Sequence, residues 1–351
     1  MKEAPALPII PVTVPFWKRC RYRLEYFGLA SLARIIQYLP WSWLQGLGSL
    51  LGFTFYQLDR HRREVTEANL KAAQLTNPAG ELLSRAERSR IGRRSYMMFA
   101  RTALELLWSP NLTPEVINQI ATVEELNDDL SHRQPGVAAI YYCLHAGNFE
   151  WVSQVHRQYV SAMPLIAQKM KNPLIGPLFD YWRSALGHQI IPQEGAMLRT
   201  FRHLKAGGKI GILFDLNLKP EEGPVVIKEF GRFYVPITRL PAELALRTGA
   251  KLIPIECLPR PEGGYVVRYY PEVKVHPGDS VAQITQACWD VLEQSIRRQP
   301  EIWLWSYKHW RYLPKGVPPE EYPFYANRLE AFDQLLAKEG IAPGTIVKSS
   351  K

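Results

Sequence analysis

Along residues 137–314 short apolar runs alternate with amphipathic stretches, and this alternation predicts the architecture. Apolar runs of strand length lie at 137–144, 163–167, 189–191, 210–214 and 252–258. Helical spacing fills the gaps at 149–159, 174–186, 196–205 and 238–248. Strands alternating with helices of this length build βαβ units, so the expected fold is α/β with a mostly parallel central sheet flanked by helices. Residues 265–270 read as one more strand, with an antiparallel edge as one place for it, and 281–298 as a long amphipathic helix.

The first third of the chain has a different pattern. Residues 64–108 are helical throughout, and the composition shifts near Ser109-Pro110. Four segments follow: a proline-rich tail at 1–16, a helical region at 17–110, the α/β domain at 111–314, and a terminal helix and tail at 315–351. Pro5, Pro8, Pro11 and Pro15 rule out the continuous apolar helix of a secretory signal. Residues 35–58 carry no formal charge and include Trp41, Trp43, Phe53, Phe55 and Tyr56. Lys18-Arg19 and Arg60-His61-Arg62-Arg63 lie on either side. The stretch is long enough to span a bilayer, but Pro40, Gly46, Gly48 and Gly52 favour a membrane-associating hairpin. Such a hairpin would hold its aromatics at headgroup depth and turn its arginines toward lipid phosphates. A buried helical hairpin of a soluble domain is the plain alternative.

Charge narrows the choice of partner. A net charge of +10 points to something anionic, such as a membrane surface, an acidic protein or a phosphate. Nucleic acid is not expected, because no helix-turn-helix, RNP or zinc-finger pattern occurs. Arg85, Arg88, Arg90, Arg93 and Arg94 fit a solvated helix face. Cys20, Cys143, Cys257 and Cys288 are scattered without a CxxC, as reduced core thiols are.

The stretch with most chemistry is His145-Ala146-Gly147-Asn148-Phe149-Glu150, between a predicted strand and a predicted helix. Within one helix a five-residue step turns about 500° and would separate the two side chains. A His–Glu pair therefore needs His145 in the loop and Glu150 in the first helical turn. A hydrogen-bonded loop histidine beside a glutamate that complements the helix dipole is the bland alternative. No G-x-S-x-G elbow, Walker A loop or G-x-G-x-x-G is present, and Cys143 with His145 supplies too few ligands for zinc. Acid/base chemistry without metal or cofactor is what remains.

Several blocks, in order, carry a resemblance. His145 to Glu150 resembles the His-x4-Glu block of the lysophospholipid acyltransferase superfamily, and more narrowly the lauroyl and myristoyl acyltransferases of lipid A biosynthesis. Lys169-Met170-Lys171-Asn172-Pro173 is similar to that family's basic-x-x-Asn-Pro segment, and Phe214-Asp215 with Phe230-Gly231 to its Asp-Gln…Phe-Gly block. Residues 240–245, 252–255 and the Trp303–Trp310 region resemble the blocks that follow. The likeness runs over roughly 19–314. It departs at Leu216 and Asn217, where the family has Gln after the aspartate, and at Tyr307 and His309 in the last block. Glu222-Gly223-Pro224 stands in place of Pro-Glu-Gly-Thr-Arg, which argues against glycerol phosphate as acceptor.

The resemblance implies acyl transfer from a thioester of acyl carrier protein or coenzyme A to a glycolipid hydroxyl, at the cytoplasmic face of an inner membrane. His145 would be the general base and Glu150 would orient and charge-stabilise its imidazole. Asn148 and amides at the helix start would stabilise the oxyanion. Lys169, Lys171 and Asn172 would meet substrate, Lys169 and Lys171 being as readily a solvated loop. Asp215 would bind substrate or cap a turn. Another glycolipid or a lysophospholipid as acceptor, a thioesterase, and a non-catalytic lipid-binding protein on the same fold are the alternatives.

Overall fold

The computed structural model describes residues 14–342, so most of the expected 1–16 tail and residues 343–351 lie outside the described residues. The N-terminal region is a set of helices: α1 (Phe16–Tyr38), α2 (Trp41–Leu58), α3 (Arg60–Ala72) and α4 (Arg85–Trp108). Pro40 ends the first helix and opens the second, because a proline cannot continue an i→i−4 ladder but fits a helix start. The uncharged stretch 35–58 is therefore split between two helices. No helix among the described residues is long and apolar enough to cross a membrane. Asp59 caps α3 by accepting from Arg62 N at 3.0 Å, and Ser84 with Glu87 forms a capping box on α4.

Helix α2 lies close on α4. A Cβ at Gly52 would collide with the backbone of Met97, and one at Gly48 would stand 2.8 Å from Arg101 Cα, so these two glycines permit the approach. Leu44 and Tyr56 are buried on the same side and Trp43, Leu50 and Phe53 stay exposed on the other, while Phe55 and Leu58 are exposed near the helix end. Helix α1 likewise exposes Phe16, Trp17, Leu24, Phe27 and Ile35.

After α5 (Pro114–Ile120) the chain runs through β1 (Ala121–Glu125), β2 (Ala139–Cys143), α6 (Phe149–Tyr159), β3 (Pro164–Ala167), α7 (Gly176–Arg183), β4 (Gln189–Pro192), α8 (Ala196–Lys205) and β5 (Lys209–Leu213). Then follow β6 (Val225–Glu229), β7 (Phe233–Ile237), α9 (Leu240–Thr248), β8 (Lys251–Pro259), β9 (Tyr265–Tyr269), α10 (Val281–Arg298) and α11 (Glu330–Lys338). The main sheet has the order β1-β9-β8-β2-β5-β3-β4. From β8 to β4 the strands are parallel; β9 pairs antiparallel with β8, and β1 parallel with β9. The sheet is thus mostly parallel and flanked by helices, as the alternation predicts.

Two features differ from the sequence reading. Strand β9 is antiparallel but not at the edge, because β1 covers it. Only Ala121 of β1 is buried, so this polar edge strand shows no apolar run. Strands β6 and β7 form a separate antiparallel hairpin that the alternation does not reveal.

Strand β2 is buried on both faces and divides the core. Ile140 and Tyr142 pack into one cluster, with β6, β7 and α10, while Ala139, Tyr141 and Cys143 pack into the other, with α4 and α6. At the β6–β7 turn Phe230 holds a left-handed φ of 51°. Its ring sits 5.7 Å from Trp303, 5.9 Å from Trp305 and 5.7 Å from Trp310, and this packing keeps a non-glycine residue there. Cys143, Cys257 and Cys288 are buried free thiols, as expected, whereas Cys20 is exposed on α1.

Candidate active site

Strand register brings the two central side chains together. Strands β2 and β5 are parallel neighbours with Cys143 opposite Leu213, so the residues two beyond each, His145 and Asp215, emerge side by side at the carboxyl ends. His145 Nδ1 lies 2.7 Å from Asp215 Oδ1, and the His145 backbone N–H donates to Oδ2 at 3.0 Å. The Trp303 indole also donates to Oδ2, at 3.0 Å. Asp215 is fully buried, while 18% of the His145 side chain remains exposed.

Charge follows from this geometry. Burial alone would raise the Asp215 carboxyl, but the His145 imidazole and the Trp303 indole hold it below its ordinary range. Burial alone would depress His145, yet the Asp215 charge and hydrogen bond outweigh it and raise its pKa. A carboxylate on Nδ1 fixes the proton there in the neutral ring and leaves Nε2 as the basic nitrogen. His145 Nε2 makes no hydrogen bond among the described residues. His309 stacks on Trp303 at 3.8 Å, and burial pushes it down to about 4, so a neutral ring lies near Asp215.

The turn that carries His145 is tightly fixed. Gly147 has φ +57°, and a Cβ there would collide with the Cys257 carbonyl oxygen. Gly147 N donates to Ile302 O at 2.9 Å and Asn148 N to Cys257 O at 2.8 Å, while Thr102 Oγ1 donates to Gly147 O at 3.2 Å. Asn148 caps α6, its Oδ1 accepting from Trp151 N at 3.1 Å. The N–H groups of Phe149 and Glu150, the first two of α6, have no partner among the described residues.

The other predicted residues separate into distinct jobs. Glu150 lies in the first turn of α6, as the spacing required, but it does not hold Nδ1 of His145; Asp215 does. The Glu150 carboxylate is gripped instead by Arg183, with Nε to Oε2 at 2.9 Å and Nη2 to Oε1 at 2.6 Å. The pair is near enough for both charges to act on His145. Asn148 is fully buried, with one N–H of its amide donating to Glu105 Oε2 at 2.7 Å and its oxygen capping α6, so it holds the turn from inside. Asn172 ties its loop to α1, donating to Tyr22 O at 3.0 Å and Glu25 Oε2 at 2.8 Å. Lys169 is exposed and 3.7 Å from Glu194, and Lys171 is exposed as well. Lys169, Met170, Phe179 and Arg183 line a cavity of about 320 Å³ between α7 and the ends of β3 and β4.

Sequence reasoning missed Arg183, which has no local motif, and the Trp303 support of Asp215. The departures from the family pattern meet in space: Tyr307 OH donates to Asn217 Oδ1 at 2.6 Å, and Asn217 Nδ2 donates to His309 O at 2.6 Å.

Two sequence relatives are both acyltransferases. A phosphatidylinositol mannoside acyltransferase of Mycolicibacterium smegmatis is 26% identical over 223 residues, covering 62% of this chain and 70% of that protein. The lipid A biosynthesis lauroyltransferase of Escherichia coli K12 is 23% identical over 308 residues, covering 85% of this chain and 94% of that one. Among solved structures, a 1-acyl-sn-glycerophosphate acyltransferase of Thermotoga maritima matches with a TM-score of 0.36 and 13% identity, over 76% of this chain and 100% of its own. The profile of the bacterial lipid A biosynthesis acyltransferases matches residues 15–312, and the chain belongs to that family of O-acyltransferases.

Proposed function

We propose that this acyltransferase moves a fatty acyl chain from a thioester, on acyl carrier protein or coenzyme A, to a hydroxyl of a glycolipid at the cytoplasmic face of an inner membrane. The observation that carries the reading is the His145 imidazole, anchored through Nδ1 on a buried carboxylate and open at Nε2. Nε2 takes the proton of the acceptor hydroxyl while its oxygen bonds to the thioester carbonyl carbon. The tetrahedral intermediate then expels the thiolate, and the Nε2 proton goes to that sulfur. Asp215 keeps the tautomer and stabilises the imidazolium between these steps. The unpartnered amides of Phe149 and Glu150, at the positive end of α6, would face the oxyanion.

The glycolipid acceptor rests on the two relatives, named for acylating phosphatidylinositol mannoside and for lipid A biosynthesis. Arg183 and Lys169 at the cavity wall suit an anionic headgroup or the phosphates of the donor arm. The exposed aromatics of α1 and α2 beside basic residues suit the lipid interface. Purified full-length protein, mixed with lauroyl-coenzyme A and total lipid of the source cells, tests the reading by mass spectrometry. An acylated glycolipid made by the wild type and not by His145→Ala is expected. Release of free fatty acid without any acylated lipid, or full activity of His145→Ala, overturns it.

A further inference from the structure

Resting on the reading above, we infer that Glu105 is a positioning residue, which couples the exposed aromatic helix α2 to the turn that carries His145. Glu105 sits deep in α4 and is fully buried; the Arg101 charge one turn earlier acts on it, but no Lys, Arg or His forms an ion pair with it among the described residues. Its carboxylate is held by four neutral donors. Oε2 accepts from Asn148 Nδ2 at 2.7 Å and from the Tyr265 hydroxyl at 2.6 Å. Oε1 accepts from Trp41 Nε1 at 2.9 Å and from Gln45 Nε2. Its backbone oxygen takes the Trp151 indole at 3.2 Å.

These donors come from three places. Trp41 and Gln45 open α2, whose opposite side exposes Trp43, Leu50 and Phe53. Asn148 belongs to the catalytic turn, three residues after His145, and Tyr265 begins β9. An ionised carboxylate satisfies all four donors at once, because it offers four acceptor sites and has no hydrogen to oppose them. Holding that charge in the core is unfavourable: burial, against the bonds from Tyr265, Trp41 and Gln45, pushes the carboxyl up to about 7. A residue kept only for packing gains nothing from such a charge. Its gain is geometric, because Asn148 is both the cap of α6 and the neighbour of Gly147, and a shift there moves the imidazole.

Exchanging the polarity of one bond tests the coupling. In Glu105→Gln an amide N–H₂ must face either Asn148 or the α2 donors, and in Asn148→Asp two carboxylates face each other. In the double variant the amide introduced on α4 donates to the carboxylate introduced in the turn. That carboxylate still caps α6, since aspartate caps a helix as well as asparagine does. The full-length proteins are assayed with lauroyl-coenzyme A and total lipid of the source cells in mixed micelles. Each single variant is expected to lower kcat about 10²-fold, the scale of a roughly 1 Å misplacement, with KM for the thioester within about threefold. The double variant is expected to recover to within about tenfold of wild type. Trp41→Phe and Tyr265→Phe each delete one donor and keep the carboxylate; a lowered kcat is expected in both, and they carry the test should Glu105→Gln not fold. Wild-type kcat in Glu105→Gln, no recovery in a folded double variant, or wild-type kcat in both donor deletions overturns the inference. His145→Ala is the control. Its inactivity beside a fully active Glu105→Gln removes this inference alone, whereas its full activity removes the functional reading beneath it.

Discussion

Asp215→Asn is the substitution that separates the His145–Asp215 arrangement from a His145–Glu150 dyad. The two oxygens of Asp215 do different work: Oδ2 accepts two N–H groups, from the His145 backbone and Trp303, while Oδ1 accepts only His145 Nδ1. The new amide could place its N–H₂ on either side. Facing the Oδ2 donors would strand two buried N–H groups, each costing about 1–3 kcal/mol. Facing Nδ1 needs only that the imidazole move its proton to Nε2. The second arrangement wins, and it blocks the base, because a protonated Nε2 cannot accept the acceptor's proton. The expected loss is about 10⁴-fold in kcat, the scale of the wrong-tautomer effect in the serine protease triad. Asp215→Ala, which forces no tautomer, should lose no more than Asp215→Asn. Initial rates of acyl transfer are read beside circular dichroism on both variants and on Glu150→Gln. An Asp215→Asn rate within about threefold of wild type, beside a Glu150→Gln that is inactive and folded, would refute the reasoning and return the orienting role to Glu150.

Three further outcomes follow from the same geometry. Because Asp215 raises the His145 pKa and the base acts only when neutral, kcat/KM should fall as pH drops through a value above the ordinary histidine ~6.5; a pH profile in which Asp215→Asn leaves that midpoint unmoved contradicts the assignment. Arg183→Ala should lower the melting temperature and raise KM, since breaking a largely buried ion pair leaves Glu150 uncompensated at a cost of about 3–5 kcal/mol, discounted somewhat for the 22% exposure of Arg183; unchanged values in thermal unfolding and steady-state kinetics would be the contrary result. On the outer side of α2, Leu50→Asp with Phe53→Asp should abolish co-sedimentation with anionic vesicles and keep the fold, because both side chains are exposed; undiminished sedimentation would remove α2 from the membrane contact.

What the sequence shows and hides has physical causes. Strands β2, β5 and β8 are legible because they are buried on both faces and read as continuous apolar runs. Strand β1 is hidden because its edge position leaves Thr122 exposed and its two glutamates only partly buried. The β6–β7 hairpin is only half announced: Gly231, at φ 68°, is an ordinary turn residue, but its companion in the turn is Phe230 in a left-handed conformation that distant tryptophans maintain. Residues 35–58 read as one apolar stretch, and Pro40 cuts it as a proline should. For the site, spacing finds the turn and places Glu150 in the first helical turn. It does not find the partner of Nδ1, because that partner is 70 residues away and is delivered by register. Each strand end is recognisable separately; the pairing of β2 with β5 is the step no linear motif contains.

That pairing also explains why two carboxylates beside one histidine are not redundant. Glu150 is matched by Arg183 in a bidentate pair, so its field at His145 is largely opposed by the guanidinium next to it, and the two charges move the imidazole in opposite directions. Among the described residues Asp215 has no Lys or Arg partner, and its other partners, an indole and a backbone amide, are neutral. When Nε2 takes a proton, the imidazolium therefore becomes the counter-ion of Asp215, and the ring gains most of its stabilisation from that carboxylate. A base needs such a change between its resting and protonated states, and a carboxylate already neutralised by arginine supplies little of it. The Glu150–Arg183 pair suits a different role. It fixes a permanent cation at the wall of the cavity, where an anionic substrate group would meet it without drawing charge from the base.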